Sequence, residues 1–297
     1  MYHNPVLLKE SVDGLAIKKS GIYVDVTFGG GGHSKEILKQ LGDDGRLFAF
    51  DQDEDAMENT LDDSRFTLIN ENFRYIKQFL KFYGIRKVDG ILADFGVSSH
   101  QFDKAERGFS TRFDADLDMR MSNKNTISAY DVVNSYQYDE LRRVLFTYGD
   151  LRNANAMAKV LLARREEAPI KTTEQLKEVL RQFLPASKEH KILAQIYQAI
   201  RIEVNQEIAV IEEFLKQTPD LLDKEGRLSI ISYHSLEDRL VKRFIRAGKF
   251  DGEPDKDFYG NINVPFKKVG GLIVPSKEEI AINNRARSAK LRIAERI

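Results

Sequence analysis

Two aspartates, Asp51 and Asp94, each close a short apolar run, and four consecutive glycines, Gly29 to Gly32, followed by His33, close another. A carboxylate at such a position can accept hydrogen bonds from sugar hydroxyls or from an amino group. A glycine cluster lets a ligand approach the backbone without interference from Cβ atoms. Helix-like sequence begins directly after it at Ser34-Lys-Glu-Ile-Leu-Lys-Gln-Leu41, with Ser34 as the expected N-cap. The turn therefore sets a ligand at a helix N-terminus, where unpaired N–H groups point outward. Asp51 follows about 20 residues later, where nucleoside-binding folds grip ribose hydroxyls. These residue types, so spaced, indicate a nucleoside-containing cofactor.

The glycine register narrows the choice of cofactor. A dinucleotide fingerprint needs G-x-G-x-x-G/A, but starting at Gly29 or Gly30 the last place falls on Ser34 or Lys35. A phosphate-binding P-loop needs Lys-Ser/Thr after the glycines, and Gly32 is followed by His33-Ser34. Asp94-Phe-Gly96 looks kinase-like, yet no His-Arg-Asp loop precedes it. S-adenosylmethionine needs close backbone approach and no phosphate clamp, so it fits these residues. Spacing alone leaves it about level with the alternatives.

The elements that must position these groups alternate over residues 20–100. Ile22–Val26, Leu47–Phe50, Phe66–Asn70 and Gly90–Asp94 read as strands, with amphipathic stretches such as Phe73–Tyr83 between them. That rhythm predicts a parallel sheet with helices on its faces. From about residue 105 to 205 it gives way to helical stretches at Tyr138–Phe146, Ala154–Glu167, Thr173–Leu184 and Lys191–Val204, with a capped start expected at Thr173. A helix over Gln206–Leu222 leads to another strand, Arg227–Tyr233. The pattern is one sheet domain, residues 1–105 and 206–297, interrupted by a helical insertion over 106–205. Gly252–Gly271 reads as loop, and the last strands are expected in 272–297.

Composition excludes several chemistries. With no cysteine among 297 residues, the chain has no disulfide, thiolate nucleophile or cysteine-held iron–sulfur cluster. Five scattered histidines suggest no metal cluster. Forty-six basic residues balance 46 acidic ones, which argues against indiscriminate coating of nucleic acid but leaves room for a local basic face. No apolar run approaches the roughly 20 residues of a membrane span. The N-terminus lacks the basic start and apolar stretch of a signal peptide, so a cytoplasmic location is expected, with no membrane partner.

Further motifs carry a resemblance over almost the whole chain. In order they are His3-Asn-Pro-Val-Leu-Leu-Lys-Glu10, Asp25-Val-Thr-Phe-Gly-Gly-Gly-Gly-His-Ser34, Phe50-Asp-Gln-Asp53, Asp89-Gly-Ile-Leu-Ala-Asp-Phe-Gly-Val-Ser-Ser99 with Gln101, and Glu106-Arg-Gly-Phe-Ser110. Leu117-Asp-Met-Arg-Met121, Gln198-Ala-Ile-Arg-Ile-Glu-Val-Asn205, Ser232-Tyr-His-Ser-Leu-Glu-Asp-Arg239 and Arg285-Ala-Arg-Ser-Ala-Lys-Leu-Arg292 follow. The chain resembles the bacterial 16S ribosomal RNA cytosine-N4 methyltransferases of the MraW (RsmH) family. It departs from them at Asn284, where the family usually has proline, and over residues 191–197, which lack a His-Pro-Ala-Thr-Arg stretch. The second departure falls in the insertion, where it bears on RNA contact and not on the cofactor.

The resemblance implies an α/β fold: a Rossmann-like class I S-adenosylmethionine-dependent methyltransferase sheet with an inserted all-helical domain for RNA recognition. It implies S-adenosyl-L-methionine held by Gly31, Gly32, His33, Asp51, Phe73, Asp94 and Gln101, though helical spacing alone makes Phe73 a core residue. It implies 16S rRNA as the partner, as RNA, within the small subunit or in a late assembly intermediate, and leaves the oligomeric state open. The acceptor amino group is a poor nucleophile, because its lone pair is delocalised into the ring. An oxygen acceptor on its N–H would help, and Asp94 is the candidate catalytic group. Without a thiol, the adduct route to pyrimidine C5 is closed, leaving direct attack by nitrogen or oxygen.

For the substrate, the expected residues are Arg107, Phe109 and Arg120 in a stretch where Arg112, Phe113 and Met119 also interleave cations with apolar groups, plus Tyr233 and His234. Such a mixture suits unstacked RNA, and it equally suits a loop packed on the insertion. Ser235 reads as the cap of a helix over Leu236–Lys249 whose Arg239, Lys242, Arg243, Arg246 and Lys249 form either a solvated face or a phosphate contact. Two other classes compete. A non-catalytic ribosome-binding factor would be free to lose Asp94 and Gln101, and an NAD-dependent oxidoreductase fails both glycine registers.

Overall fold

The structure is a computed structural model that describes residues 5–260 and 262–297; His3 and Asn4 of the first motif lie outside them. Two compact units divide the chain, one formed by residues 1–96 with 208–297 and the other by Val97–Glu207. The second unit begins nearer the end of the Asp94 strand than the expected residue 106.

The first unit holds α1 (Leu8–Asp13), β1 (Ile22–Asp25), α2 (Gly32–Gln40), β2 (Arg46–Phe50), β3 (Phe66–Ile69), α3 (Ile76–Phe82) and β4 (Val88–Asp94). The helical unit contributes α4 (Ser99–Asp103), α5 (Ala129–Ser135), α6 (Tyr138–Gly149), α7 (Ala154–Glu167), α8 (Thr173–Val179) and α9 (Glu189–Asn205). The chain then returns through α10 (Glu207–Leu221), β5 (Leu222–Ser232), α11 (Ser235–Ala247), β6 (Phe266–Ile273), α12 (Lys277–Ile282) and β7 (Lys290–Arg296).

The strands form a seven-stranded sheet in the order β3-β2-β1-β4-β5-β7-β6. Strands β1 to β5 are parallel, whereas β7 runs antiparallel to both β5 and β6. This is a Rossmann-like sheet. Its order reverses between β1 and β4, and ligands of open α/β sheets bind beyond the strand ends at such a reversal. Alternation along the strands explains why both faces are covered. Val24, Phe48 and Ile91 pack with Ile76 and Leu80 of α3, Phe214 of α10 and Phe244 of α11. Their chain neighbours Tyr23, Leu47 and Leu92 point the other way, onto Val12 of α1 and Ile37 and Leu38 of α2. Central parallel strands buried on both faces read as apolar runs, so a charge inside one, such as Asp25, stands out.

The helical unit has its own core, in which Leu141, Val144 and Leu145 of α6 meet Met157 and Leu161 of α7 and Ile196 and Ile200 of α9. Its described residues carry no strand, only the single bridge between Asp116 and Thr172. Two local readings change. The cap of α8 is Thr172, one residue before the expected Thr173, and it forms a capping box with Gln175. Loop was expected as far as Gly271, yet β6 starts at Phe266, pairing with Arg296 of β7. The Lys-Lys and Gly-Gly pairs of β6 hide the alternation expected of a strand, because β6 is an exposed edge with few side chains facing the core.

Candidate active site

The carboxyl ends of β1, β2 and β4 each deliver an aspartate: Asp25, Asp51 and Asp94. Asp25 is fully buried, and its two oxygens accept from the Thr27 backbone N–H at 3.1 Å and the Ser34 hydroxyl at 2.7 Å. Burial pushes its carboxyl above the usual range, with His33 opposing. Ser34 is therefore not the N-cap expected from sequence. The cap of α2 is Gly31, and Ser34 sits inside the helix, spending its hydroxyl on Asp25.

The glycine turn is shaped by the protein's own packing. Gly31 adopts φ 75°, and a Cβ there would also lie 2.9 Å from the Phe28 ring. At Gly32 a Cβ would come 2.1 Å from Pro5. Both positions demand glycine before any ligand is considered, so a ligand meets their backbone and not an emptied Cβ space. His33 is buried, its Nε2 3.2 Å from the Val6 carbonyl, which ties the turn to the N-terminal segment.

Asp51 is joined to the same turn. Its Oδ2 accepts the Gly29 backbone N–H at 2.7 Å, and its Oδ1 accepts that of Asp53 at 2.9 Å. Burial raises its carboxyl to about 6, held down by those two N–H groups. An ionised carboxylate offers about four acceptor sites, so two stay available for a pair of hydroxyls. Phe73 lies in a short 3-10 turn ahead of α3, stacked on Phe95 with centroids 6.0 Å apart and edge-on to Phe214 at 5.3 Å. It is half core, half surface.

Asp94 ends β4. Its backbone N–H donates to Thr27 Oγ1 at 2.7 Å, and its Oδ1 accepts the Tyr233 hydroxyl at 2.8 Å. Among the described residues Oδ2 has no partner. Burial lifts the Asp94 carboxyl to about 6; His33 and the Tyr233 bond oppose this, while Asp25 and Glu237 add to it. Burial beside Asp94 drives the Tyr233 phenol well above its ordinary value. The phenol is thus a fixed donor, and Asp94 is a carboxylate at neutral pH with one oxygen held and one to spare.

The profile of the MraW methylase family matches residues 1–297. The chain belongs to this family. It is 68% identical over 296 residues to the ribosomal RNA small subunit methyltransferase H of Christiangramia forsetii, spanning 100% of this chain and 98% of that one. Its likeness to the protein of that name from Flavobacterium johnsoniae is 69% over 296 residues, with the same coverage. With that of Cytophaga hutchinsonii it shares 57% over 298 residues, covering both chains completely. The cofactor of this MraW family methylase is S-adenosylmethionine. The donor set fits it: a turn of backbone N–H groups without a phosphate-binding lysine, and an acid with spare acceptor sites beside it.

The other expected residues of this MraW chain fall into two groups. Tyr233 and His234 follow β5, and Tyr233 bonds directly to Asp94. The N-cap of α11 is His234 and not Ser235; its Nδ1 accepts the Glu237 N–H at 3.4 Å. Gln101, Arg107, Phe109 and Arg120 belong to the helical unit. There the Gln101 side-chain oxygen accepts the Ser98 N–H at 3.1 Å in a capping box, and its amide donates to the Met121 carbonyl at 3.4 Å. Arg107 donates to the Arg120 carbonyl at 2.9 Å and lies 5.8 Å from the centre of the Phe109 ring. Arg120 forms a two-pronged pair with Asp118 at 2.9 and 2.7 Å. Phe109, only 4% exposed, is a core residue and offers no stacking face. Arg112 and Phe113 stay exposed, in cation–π contact at 5.8 Å.

Sequence reasoning passed over Asp25 and Glu237, and both left signals. Asp25 is a charge within an apolar strand, and Glu237 stands three residues after His234 in the spacing of a capping box.

Proposed function

We propose that the chain methylates N4 of a cytosine in the decoding region of 16S ribosomal RNA, using S-adenosylmethionine, with the RNA in the small subunit or a late assembly intermediate. The observation that carries this reading is the Asp94 carboxylate: one oxygen fixed by Tyr233, the other free to accept. The names of the relatives supply the class of RNA, and the missing thiol supports attack by a nitrogen over attack by ring carbon.

When bound, S-adenosylmethionine supplies a methyl group on a sulfonium, open to in-line displacement. Asp51 accepts from the ribose hydroxyls, the backbone at Gly31, Gly32 and His33 borders the amino-acid part, and Phe73 lies along the base. Gln101 serves the methionine end. Asp94 Oδ2 accepts one N–H of the cytosine amino group, turning its lone pair out of conjugation, and takes up the proton the nitrogen gives up. Tyr233 holds the carboxylate in the orientation that makes this acceptor available. Tyr233 and His234 border the RNA, while Arg107 and Arg120 hold the shape of the loop beside Phe109. Within the RNA loop, Arg112 with Phe113 supplies the exposed cation and ring that the buried Phe109 does not.

The test is nucleoside mass analysis of 16S rRNA from a strain lacking the gene. N4-methylcytidine should disappear, return with the wild-type gene, and stay absent with Asp94→Asn. Persistence of the mark in the deletion strain would sink the assignment.

A further inference from the structure

Glu237 is a charged side chain with no exposed surface, placed in the first turn of α11. Its Oε2 accepts the backbone N–H of Tyr233 at 2.7 Å and that of His234 at 3.2 Å. Its Oε1 lies 3.0 Å from His234 Nε2. A capping box needs only the bond to the N-cap residue, here His234. In this helix the shorter bond goes one residue further back, to the residue whose phenol holds Asp94. Burying a carboxylate completely is costly unless its partners are well placed. An ordinary cap keeps its acid near water, so capping alone does not account for this burial.

We propose that Glu237 is a positioning residue for methyl transfer, fixing the backbone of Tyr233 so that its hydroxyl meets Asp94 Oδ1. This rests on the reading of Asp94 as the acceptor for the cytosine amino group. The charged and titratable groups facing Asp94 are His33 from α2, Asp25 from β1, Tyr233 after β5 and Glu237 from α11. Two of the four are acids that hold the Asp94 carboxyl up, and Glu237 is one of them. Loss of its charge lowers the Asp94 titration whatever its role, but loss of the acceptor that fixes Tyr233 weakens the phenol's bond to Asp94 and raises it, so two neutral replacements, one with an acceptor and one without, separate the two.

The experiment compares the full-length Glu237→Gln and Glu237→Ala proteins with the unaltered one. Methylation of 16S rRNA in small subunits is measured from pH 5 to 8. The carbon-13 titration of the Asp94 carboxyl, assigned with Asp94→Asn, is followed in the absence of RNA. Gln keeps one acceptor for Tyr233, so kcat should fall roughly tenfold with KM within about twofold; Ala should lose roughly a hundredfold. Both variants lose the charge, so the Asp94 titration in Glu237→Ala should lie at higher pH than in Glu237→Gln, because only Ala frees the Tyr233 hydroxyl. Combined with Tyr233→Phe, Glu237→Gln should cost little more than either change alone, because both act through one hydroxyl. Unchanged kcat in folded Glu237→Gln would overturn the proposal, as would equal Asp94 titrations in the two folded variants or fully additive losses in the double variant. If Glu237→Ala does not fold, the Gln variant and the double variant decide. Full activity in Asp94→Asn would instead refute the reading on which the proposal rests.

Discussion

The strand ends of the sheet unit and the arginine-rich loop of the helical unit both contain residues of the right chemistry, but they use them oppositely. At the strand ends, Asp51 and Asp94 are held by a few short bonds and keep acceptor sites to spare. In the loop, Arg107 and Arg120 direct their guanidinium groups to backbone carbonyls and Asp118, while Phe109 is buried. A strand end has its backbone fixed by its neighbours, so its side chains need not hold it in place. A loop without such support is held by its own side chains, and arginine, with five donors, is well suited to that work. Residue type alone therefore indicates chemistry more reliably at the strand ends than in the loop.

Asp94→Asn tests the sheet side of this contrast most severely. Turnover should fall about a thousandfold while S-adenosylmethionine binding, measured by calorimetry, changes less than about threefold. The same variant should be more stable at neutral pH. Because the folded Asp94 carboxyl is raised to about 6 from 3.8, the native state holds its proton more tightly than the unfolded chain. That contribution is fully present below about pH 4 and is lost as pH rises through 6. Asn removes the loss, on the order of 3 kcal/mol at pH 8 and little at pH 4. Thermal melts at both pH values check it, and equal stability at pH 8 would mean that Asp94 is not held under strain.

Phe109→Ala probes the loop side. As a core residue it should cost about 3–5 kcal/mol of stability by urea unfolding. If it instead left stability intact and weakened RNA binding, the loop would resemble the strand ends after all. Tyr233→Phe, next in size, should lower kcat roughly tenfold and shift the acid limb of kcat/KM upward in pH. The sign follows from the hydroxyl's bond, which favours the Asp94 carboxylate and is lost in the variant.

The same contrast explains how much could be read in advance. The strands carrying Asp51 and Asp94 are apolar runs ending in an acid and bounded by turn residues, so periodicity locates them to within a residue or two. The helices of the insertion follow for the same reason, as at Ala154–Glu167. What sequence did not reveal depends on partners distant along the chain. Gly32 is required by Pro5, and Tyr233 reaches Asp94 across 139 positions. The cap of α2 moved three residues because the Ser34 hydroxyl was taken by Asp25, and that of α8 moved by one, the Thr173 hydroxyl donating instead to the Phe113 carbonyl. The Rossmann-like sheet was legible because it follows local pattern; the pairing of loop arginines was not, because it follows tertiary contacts.

The smallest expected effect separates free cations from committed ones. On α11, Arg243 and Arg246 reach Phe250, Asp251 and Glu253 of the following loop, whereas Arg239 and Lys242 are exposed and have no ion partner among the described residues. If that face meets RNA phosphates, each of those two contributes one released counterion. The double change Arg239→Ala with Lys242→Ala should then reduce the slope of log K against log salt by about 1.5–2. Arg120→Ala, which breaks a pair with Asp118, should leave that slope nearly unchanged and lower the melting temperature instead. Filter binding of the RNA from 50 to 300 mM salt distinguishes the two variants. Equal slopes in all three proteins would place the RNA away from α11, and a larger loss with Arg120→Ala would make Arg120 itself a phosphate contact.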